Sequence, residues 1–346
     1  MSITRSILAA FLAIFWLAGP WLAAAQDDAG RSWCVSVWYP SSDHPGGLDS
    51  IIQNLDVIDE VNPFWYAASA DGAVTSKTDA GNPDKLAAWR AAGLRVLPTI
   101  ADASPFAIRD ANRAAHIQTI FELVERMDYD GIDIDYEEFP LTTRDDFSAF
   151  VEDLAAQLHT NGRLLSIAVH AKTTDAPAWE GAAAQDWVRL SSAVDIFRIM
   201  TYDYHNSPGD PGPIGPPQWS SDVLAYAATV TDLSKVRLGL HFYGYRWQRG
   251  SVGATSWEST ERAIESFDLT VERDLLDMEA WVAVKVKGLP AQTIYFADAA
   301  GLAYKLDRLL TAYPGLGGVA IWGLGGEDPA NWDVLREVAG AACRLP

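Results

Sequence analysis

The sequence predicts an α/β fold: a (β/α)8 TIM barrel with a small α+β insertion between its seventh and eighth strands. Three observations carry that expectation. Short β-branched or aromatic runs alternate with helical-period segments eight times along the chain. The strand runs are nearly continuous in apolar residues, as in parallel sheets covered on both faces. One stretch, about 245–292, is too long for a single strand–helix unit and fits an insertion.

The elements follow in order. Residues 33–39 (WCVSVWY) read as the first strand, and Leu48, Ile51, Ile52, Leu55 and Ile58 then keep helical spacing. Residues 61–66 (VNPFWY) read as the second strand, with Asp71-Gly72 as a turn. Asn82 as N-cap and Pro83 at the first helical position open a helix that Gly93 closes. Residues 94–100 (LRVLPTI) form the third strand, a helix follows over about 108–127, and 131–135 form the fourth strand. Thr143 caps the next helix, whose apolar face includes Phe147, Phe150, Leu154 and Leu158, and Asn161-Gly162 ends it. Strands five to eight are expected at 164–169, 196–200, 236–240 and 318–322. The barrel should occupy 32–345 with no appended module.

Composition narrows the function. Of 346 residues, 49% are hydrophobic and 14 are Trp, so the signature of disorder is absent and a ring-lined cleft is expected. Lys and Arg total 26 against 46 Asp and Glu, a net charge of −20, which argues against nucleic acid and anionic membranes as partners. Residues 1–25 read as a signal peptide: Arg5 is the positive start, 7–16 the apolar run, and Ala23-Ala24-Ala25 the cleavage site. The mature protein is expected to be secreted or periplasmic, soluble and monomeric. In such a compartment Cys34 and Cys343 can pair, because the first strand and last helix of a closed barrel are neighbours. Two unpaired buried thiols are the alternative.

The chemistry concentrates in residues 130–138, DGIDIDYEE. Alternation on a strand projects Asp133, Asp135 and Glu137 to one side and Ile132, Ile134 and Tyr136 to the other. Three carboxylates this close repel, so at least one should hold a proton. Glu137 would stand at the C-terminal end of the strand, where barrel enzymes keep their catalytic groups. A calcium loop is disfavoured because the EF-hand spacing fails and the isoleucines demand burial. No GxSxG elbow is present, and no metal or cofactor is expected.

DGIDIDYE resembles the DGxDxDxE signature of glycoside hydrolase family 18, the chitinase-like barrels. Met200-Thr201-Tyr202-Asp203 is similar to that family's MxYD motif, 238–245 (LGLHFYGY) to its seventh strand, and Ile321-Trp322 to its eighth-strand tryptophan. Within the family the likeness is to bacterial spore-cortex-type peptidoglycan glucosaminidases, supported by 61–66, 97–100, Ala171-Lys172 and 211–219. Two departures stand out: TIADA at 99–103 replaces the SxGG motif of typical chitinases, and no LysM module is present.

The resemblance implies an exported hydrolase of β-1,4-linked N-acetylglucosamine polymers, peptidoglycan or chitin fragments, using no cofactor. Glu137 would be the acid and then the base, with the substrate's own acetamido oxygen as nucleophile. Asp135 would orient that acetamido group, Asp133 would share a proton or hydrogen bond with Asp135, Tyr202 would donate to the acetamido carbonyl, and Asp203 would contact the sugar or the surroundings of Glu137. Trp322 would floor the cleaved sugar. Met200, Tyr39, Trp65 and Tyr243 are expected along the cleft, while Tyr204, Tyr245 and Trp247 fit either cleft or core. His170, His205 and His241 read as hydrogen-bonded structural histidines. A catalytically inactive carbohydrate-binding lectin is the competing reading, and such proteins typically lack the acid that Glu137 supplies here.

Overall fold

Eight parallel strands form the frame, each seeded by a β-branched or aromatic run. The computed structural model describes residues 33–40, 46–288, 290–339 and 343; the expected signal peptide lies outside the described residues. In chain order the strands are β1 (Cys34–Tyr39), β2 (Glu60–Pro63), β3 (Tyr66–Ala68), β4 (Val74–Ser76), β5 (Arg95–Val96), β6 (Thr99–Ala101), β7 (Gly131–Asp135), β8 (Leu164–His170), β9 (Ile196–Met200) and β10 (Val236–His241). Then come β11 (Gly244–Gln248), β12 (Ser251–Thr255), β13 (Glu272–Arg273), β14 (Ala280–Val284), β15 (Gln292–Phe296) and β16 (Gly318–Trp322). The helices are α1 (Gly47–Gln53), α2 (Pro83–Ala91), α3 (Asp110–Met127), α4 (Arg144–Thr160), α5 (Glu180–Ala183), α6 (Trp187–Ala193), α7 (Pro217–Val230), α8 (Trp257–Phe267), α9 (Ala299–Ala312) and α10 (Ala330–Val338).

The main sheet runs β4-β3-β6-β7-β8-β9-β10-β16-β1-β2-β5. β5 and β6 are two halves of one barrel strand, split at Leu97-Pro98 because proline has no N–H for the ladder. The barrel still closes through that strand: Leu97 N–H donates to Val61 O at 3.1 Å, and Asp133 N–H donates to Pro98 O at 3.0 Å. The second expected strand is also split, by Pro63. A tight turn closed by Trp65 N–H to Pro63 O at 2.8 Å rotates the chain before β3 starts. Asn82 caps α2 as its residue type requires, accepting from the N–H groups of Asp84 and Lys85.

Alternation separates the two faces of the barrel. Val35, Val37, Ile132, Ile134, Ile167, Phe197, Ile199, Leu238, Val319 and Ile321 point outward and pack with Phe147, Phe150, Leu154 and Leu158 of α4 and Leu306 and Leu309 of α9. Each such buried side chain contributes about 1.5–3 kcal/mol. The inner face is more polar than near-continuous apolar runs suggest. Glu60, fully buried, meets Arg95 at 3.1 Å, Arg198 at 3.0 Å and Arg237 at 3.4 Å. Burial pushes its carboxyl up, but Arg237, Arg198 and Arg95 outweigh burial and hold it down at about 2.

Cys34 and Cys343 are joined in a disulfide with a Cα–Cα distance of 4.7 Å, tying the two ends of the barrel together. Glu60 lies within 4.8 Å of both sulfurs. The bridge and the three arginines leave that cluster no free metal ligands. Between β10 and β16, the strands β12-β11-β15-β14-β13 form a second sheet. Ala280, Val282, Val284, Ile294 and Phe296 make its core, against Trp257 and Ile264 of α8. No helix among the described residues is long and apolar enough to cross a membrane.

Candidate active site

β7 carries the site because its sequence obeys both faces at once. It starts at Gly131, where a Cβ would lie 2.1 Å from the Leu164 carbonyl oxygen, so only glycine lets the strands approach. Ile132, Ile134 and Tyr136 bury outward at 0% exposure, and that packing drives Asp133 and Asp135 into the barrel.

A buried carboxylate costs several kcal/mol unless donors replace its water. Asp133 has four. Trp38 Nε1 (3.0 Å) and Thr99 Oγ1 (2.9 Å) donate to Oδ2, and Ser166 Oγ (2.6 Å) and Arg198 Nη1 (2.8 Å) donate to Oδ1. The expectation that Asp133 shares a proton or hydrogen bond with Asp135 is therefore corrected: both its oxygens face other donors. Arg198 also bonds Glu60, which links the base of the barrel to the catalytic strand.

Asp135 is different. Burial and then the negative Glu137 and Asp133 push its carboxyl well above the carboxylate range, and its Oδ1 has no partner within the protein. A hydrogen bond joins it to Glu137. Burial and the neighbouring Glu138 raise Glu137 to about 6, against the lowering effect of the Asp135 bond. Two carboxyls in contact titrate as a pair, so one proton resides between them near neutrality.

These groups open into a cavity of about 580 Å³, large enough for a sugar unit and its neighbours. Asp135, Glu137, Met200, Tyr202, Asp203 and Trp322 line it. Burial and then the surrounding acids, Asp135 first, push the Tyr202 phenol well up, so it stays a donor. Asp203 sits in the left-handed region at φ 62°, a strained conformation for a residue with a side chain. Hydrogen bonds from Tyr243 and Tyr245 accompany it.

Three expected cleft residues lie elsewhere. Tyr39 follows inward-pointing Trp38, so alternation turns it outward, where Lys85 Nζ donates to its hydroxyl at 2.9 Å and Trp89 packs at 5.9 Å. Trp65 is 0% exposed and stacks on Trp89 at 5.7 Å, because the turn after Pro63 directs Phe64, not Trp65, into the cavity. Tyr243 is partly buried and donates to Asp203 without itself lining the cavity.

The cavity instead uses residues that sequence reasoning missed: Trp38, Phe64, Trp179, Trp219, Asn206 and Glu138. Parity along β1 could have found Trp38. Trp179 and Trp219 stand where no period marks an inward face. Tyr204, exposed, packs on Trp219 at 5.0 Å; Trp247 donates to Ser207 O at 2.9 Å. His205 is structural as expected, its Nδ1 bonded to Pro213 O at 2.7 Å. His241 is not: neither ring nitrogen has a hydrogen-bond partner, and Glu279 stands 3.5 Å away. His170 is hydrogen-bonded as expected, its Nε2 3.4 Å from Glu137 O, and it also lines the cavity.

Comparison with known proteins agrees with this architecture. The cortical fragment-lytic enzyme of Bacillus subtilis is 26% identical over 230 residues, 64% of this chain and 52% of that protein. Its Bacillus anthracis counterpart is 23% identical over 288 residues, 79% of this chain and 66% of that one. The chain spans 36% to 66% of the length of the curated relatives it matches. Among solved structures, a chitinase from Chromobacterium violaceum has a TM-score of 0.83 at 24% identity, covering 90% of this chain and 100% of that one. The Bacillus cereus spore cortex-lytic enzyme SleL has a TM-score of 0.80 at 21% identity, covering 89% and 74%. Both likenesses are of fold. The profile of glycosyl hydrolases family 18 matches residues 38–327, most of the chain, including the strand that carries the carboxyl pair. The chain belongs to glycosyl hydrolase family 18.

Proposed function

We propose that the protein is an exported hydrolase that cleaves β-1,4 linkages at N-acetylglucosamine units of peptidoglycan or chitin fragments, by substrate-assisted, retaining catalysis. The observation that carries this reading is the Asp135–Glu137 pair: a raised acid at the cavity mouth with a bonded, proton-holding partner whose Oδ1 is unpartnered. A carboxyl pair in direct contact leaves no space for a water between its members, which fits a nucleophile brought by the substrate.

Glu137 transfers its proton to the glycosidic oxygen as the bond to the leaving sugar breaks. The acetamido oxygen of the bound unit attacks the anomeric carbon from the opposite face. Asp135 Oδ1 accepts the acetamido N–H, and once the proton shared by the pair has left through Glu137, the Asp135 carboxylate stands beside the cationic ring that forms. Tyr202 donates to the acetamido oxygen and aligns it. Glu137, now a carboxylate, takes a proton from water as that water opens the ring, which restores both groups. Trp322 and Trp38 give the sugar an apolar floor; their rings meet edge to face at 6.4 Å. Peptidoglycan is favoured over chitin because two relatives are named for lysis of cortical fragments. Export rests on residues 1–25.

The test is to incubate purified protein with chitooligosaccharides and, separately, with peptidoglycan, and to measure product masses. Cleavage at N-acetylglucosamine that Glu137→Gln abolishes supports the reading. Intact substrates in both tubes, or full activity of the variant, overturns it.

A further inference from the structure

The geometry points to His170 as a positioning residue for Glu137: its imidazole directs an Nε2–H at the glutamate and braces Trp179 on the cavity wall beside it. The inference rests on the reading of Glu137 as the acid.

His170 ends β8, the strand next to the catalytic one. Its backbone N–H donates to Gln185 Oε1 at 2.8 Å, which fixes where the ring starts. Nε2 lies 3.4 Å from the Glu137 backbone oxygen and 3.5 Å from Glu137 Oε2. A backbone carbonyl can only accept, so Nε2 carries the hydrogen, and the carboxyl oxygen stands 3.5 Å from the same nitrogen. The Trp179 ring centroid stands 4.0 Å from the imidazole, at 60°. Gly181 also abuts that indole: a Cβ there would lie 2.8 Å from the ring. Trp179 thus touches both His170 and the chain at Gly181, is 49% exposed and lines the cavity.

The charge state of the ring matters. Burial pushes the imidazole down to about 4, so it is neutral where Glu137 titrates. A cation at that distance would depress the glutamate by roughly 1–3 pH units and empty it of the proton it must give. An uncharged N–H favours the carboxylate only modestly. The charged groups that raise Glu137 are the acids Glu138, Asp102 and Asp203, while the Asp135 hydrogen bond lowers it. Lys172, two residues beyond His170, turns away to Gln185 O at 2.6 Å and to Asp175 at 3.5 Å. The histidine therefore supplies a donor against three acids without supplying a charge.

Protein labelled with [δ-13C]glutamate allows the Glu137 carboxyl to be titrated directly, its resonance assigned by its loss in Glu137→Gln. His170→Phe keeps the ring against Trp179 and removes the N–H; His170→Gln restores a donor at the Nε2 position. The Phe variant should raise the Glu137 midpoint by about half a pH unit or more, and the Gln variant should return it, because a donor to the charged form lowers a carboxyl. The basic limb of kcat/KM should follow the same order. If Phe is not accommodated, His170→Met serves the same purpose. An unmoved midpoint in the donor-free variant, or a Gln variant that behaves like it, overturns the inference. The titration needs no substrate, so turnover with an unmoved midpoint defeats this inference alone, whereas a moved midpoint without turnover defeats only the hydrolase reading.

Discussion

Replacing Arg198 by Met should destabilise the barrel interior. The guanidinium joins two carboxylates that are both 0% exposed, Asp133 at 2.8 Å and Glu60 at 3.0 Å. Methionine fills most of the volume but leaves each carboxylate short of its shared cation. Breaking a buried pair from one side costs about 3–5 kcal/mol, and Glu60 retains Arg95 and Arg237, which places the loss toward the lower figure. The acid limb gives a second reading. Glu60 is held at about 2 against an ordinary value of 4.5, a depressed carboxyl, so it stabilises the fold fully above pH 4.5 and loses that contribution as pH falls toward 2. The difference corresponds to about 3 kcal/mol. Without Arg198 the folded-state value rises, and acid unfolding should begin at higher pH. Urea unfolding at pH 7 with the disulfide intact measures the first effect, and an acid titration followed by tryptophan fluorescence measures the second. A loss below about 1 kcal/mol with an unmoved acid limb would refute the argument that this arginine compensates buried charge.

Other expected outcomes are simpler. Cys34→Ser with Cys343→Ser should lower stability by about 2–5 kcal/mol, since the bridge spans a separation of 309 residues; an unchanged unfolding midpoint would contradict this. Because Glu137 is raised to about 6 and must be protonated to act, kcat/KM should fall as pH rises through about 6, and a profile flat to pH 8 would contradict the assignment. Asp135→Asn should lower kcat by about 10²–10³ with KM changed far less; a loss confined to KM would assign Asp135 to binding alone.

The catalytic strand was legible because period 2 separates isoleucines from aspartates in DGIDIDYE, and nothing interrupts the alternation. The same rule applied to WCVSVWY would have preferred Trp38 to Tyr39. Trp65 was misplaced for a different reason: reading VNPFWY as one strand ignores that Pro63 cannot continue the ladder, and the turn it forces reverses which aromatic ring faces inward. The Glu60–Arg198 contact joins residues 138 apart, and isolated charges within apolar runs do not announce a common partner. Trp179 and Trp219 reach the cavity through tertiary placement of a loop and of α7, for which no local pattern exists. Alternating elements, the Asn82 cap and the insertion were visible because each has a local cause, whereas Thr143, expected to cap α4, makes no capping bond and turns its hydroxyl to Pro140 O.

The account's central claim is that the substrate's acetamido group is the nucleophile, with Glu137 and Asp135 serving it. Rapid NMR of freshly released product from an N-acetylglucosamine oligomer tests that claim most directly. Two inversions at the anomeric carbon predict the β-anomer first, and fully deacetylated oligomers should remain intact even at high concentration. Initial release of the α-anomer, or steady cleavage of a chain without N-acetyl groups, would contradict it.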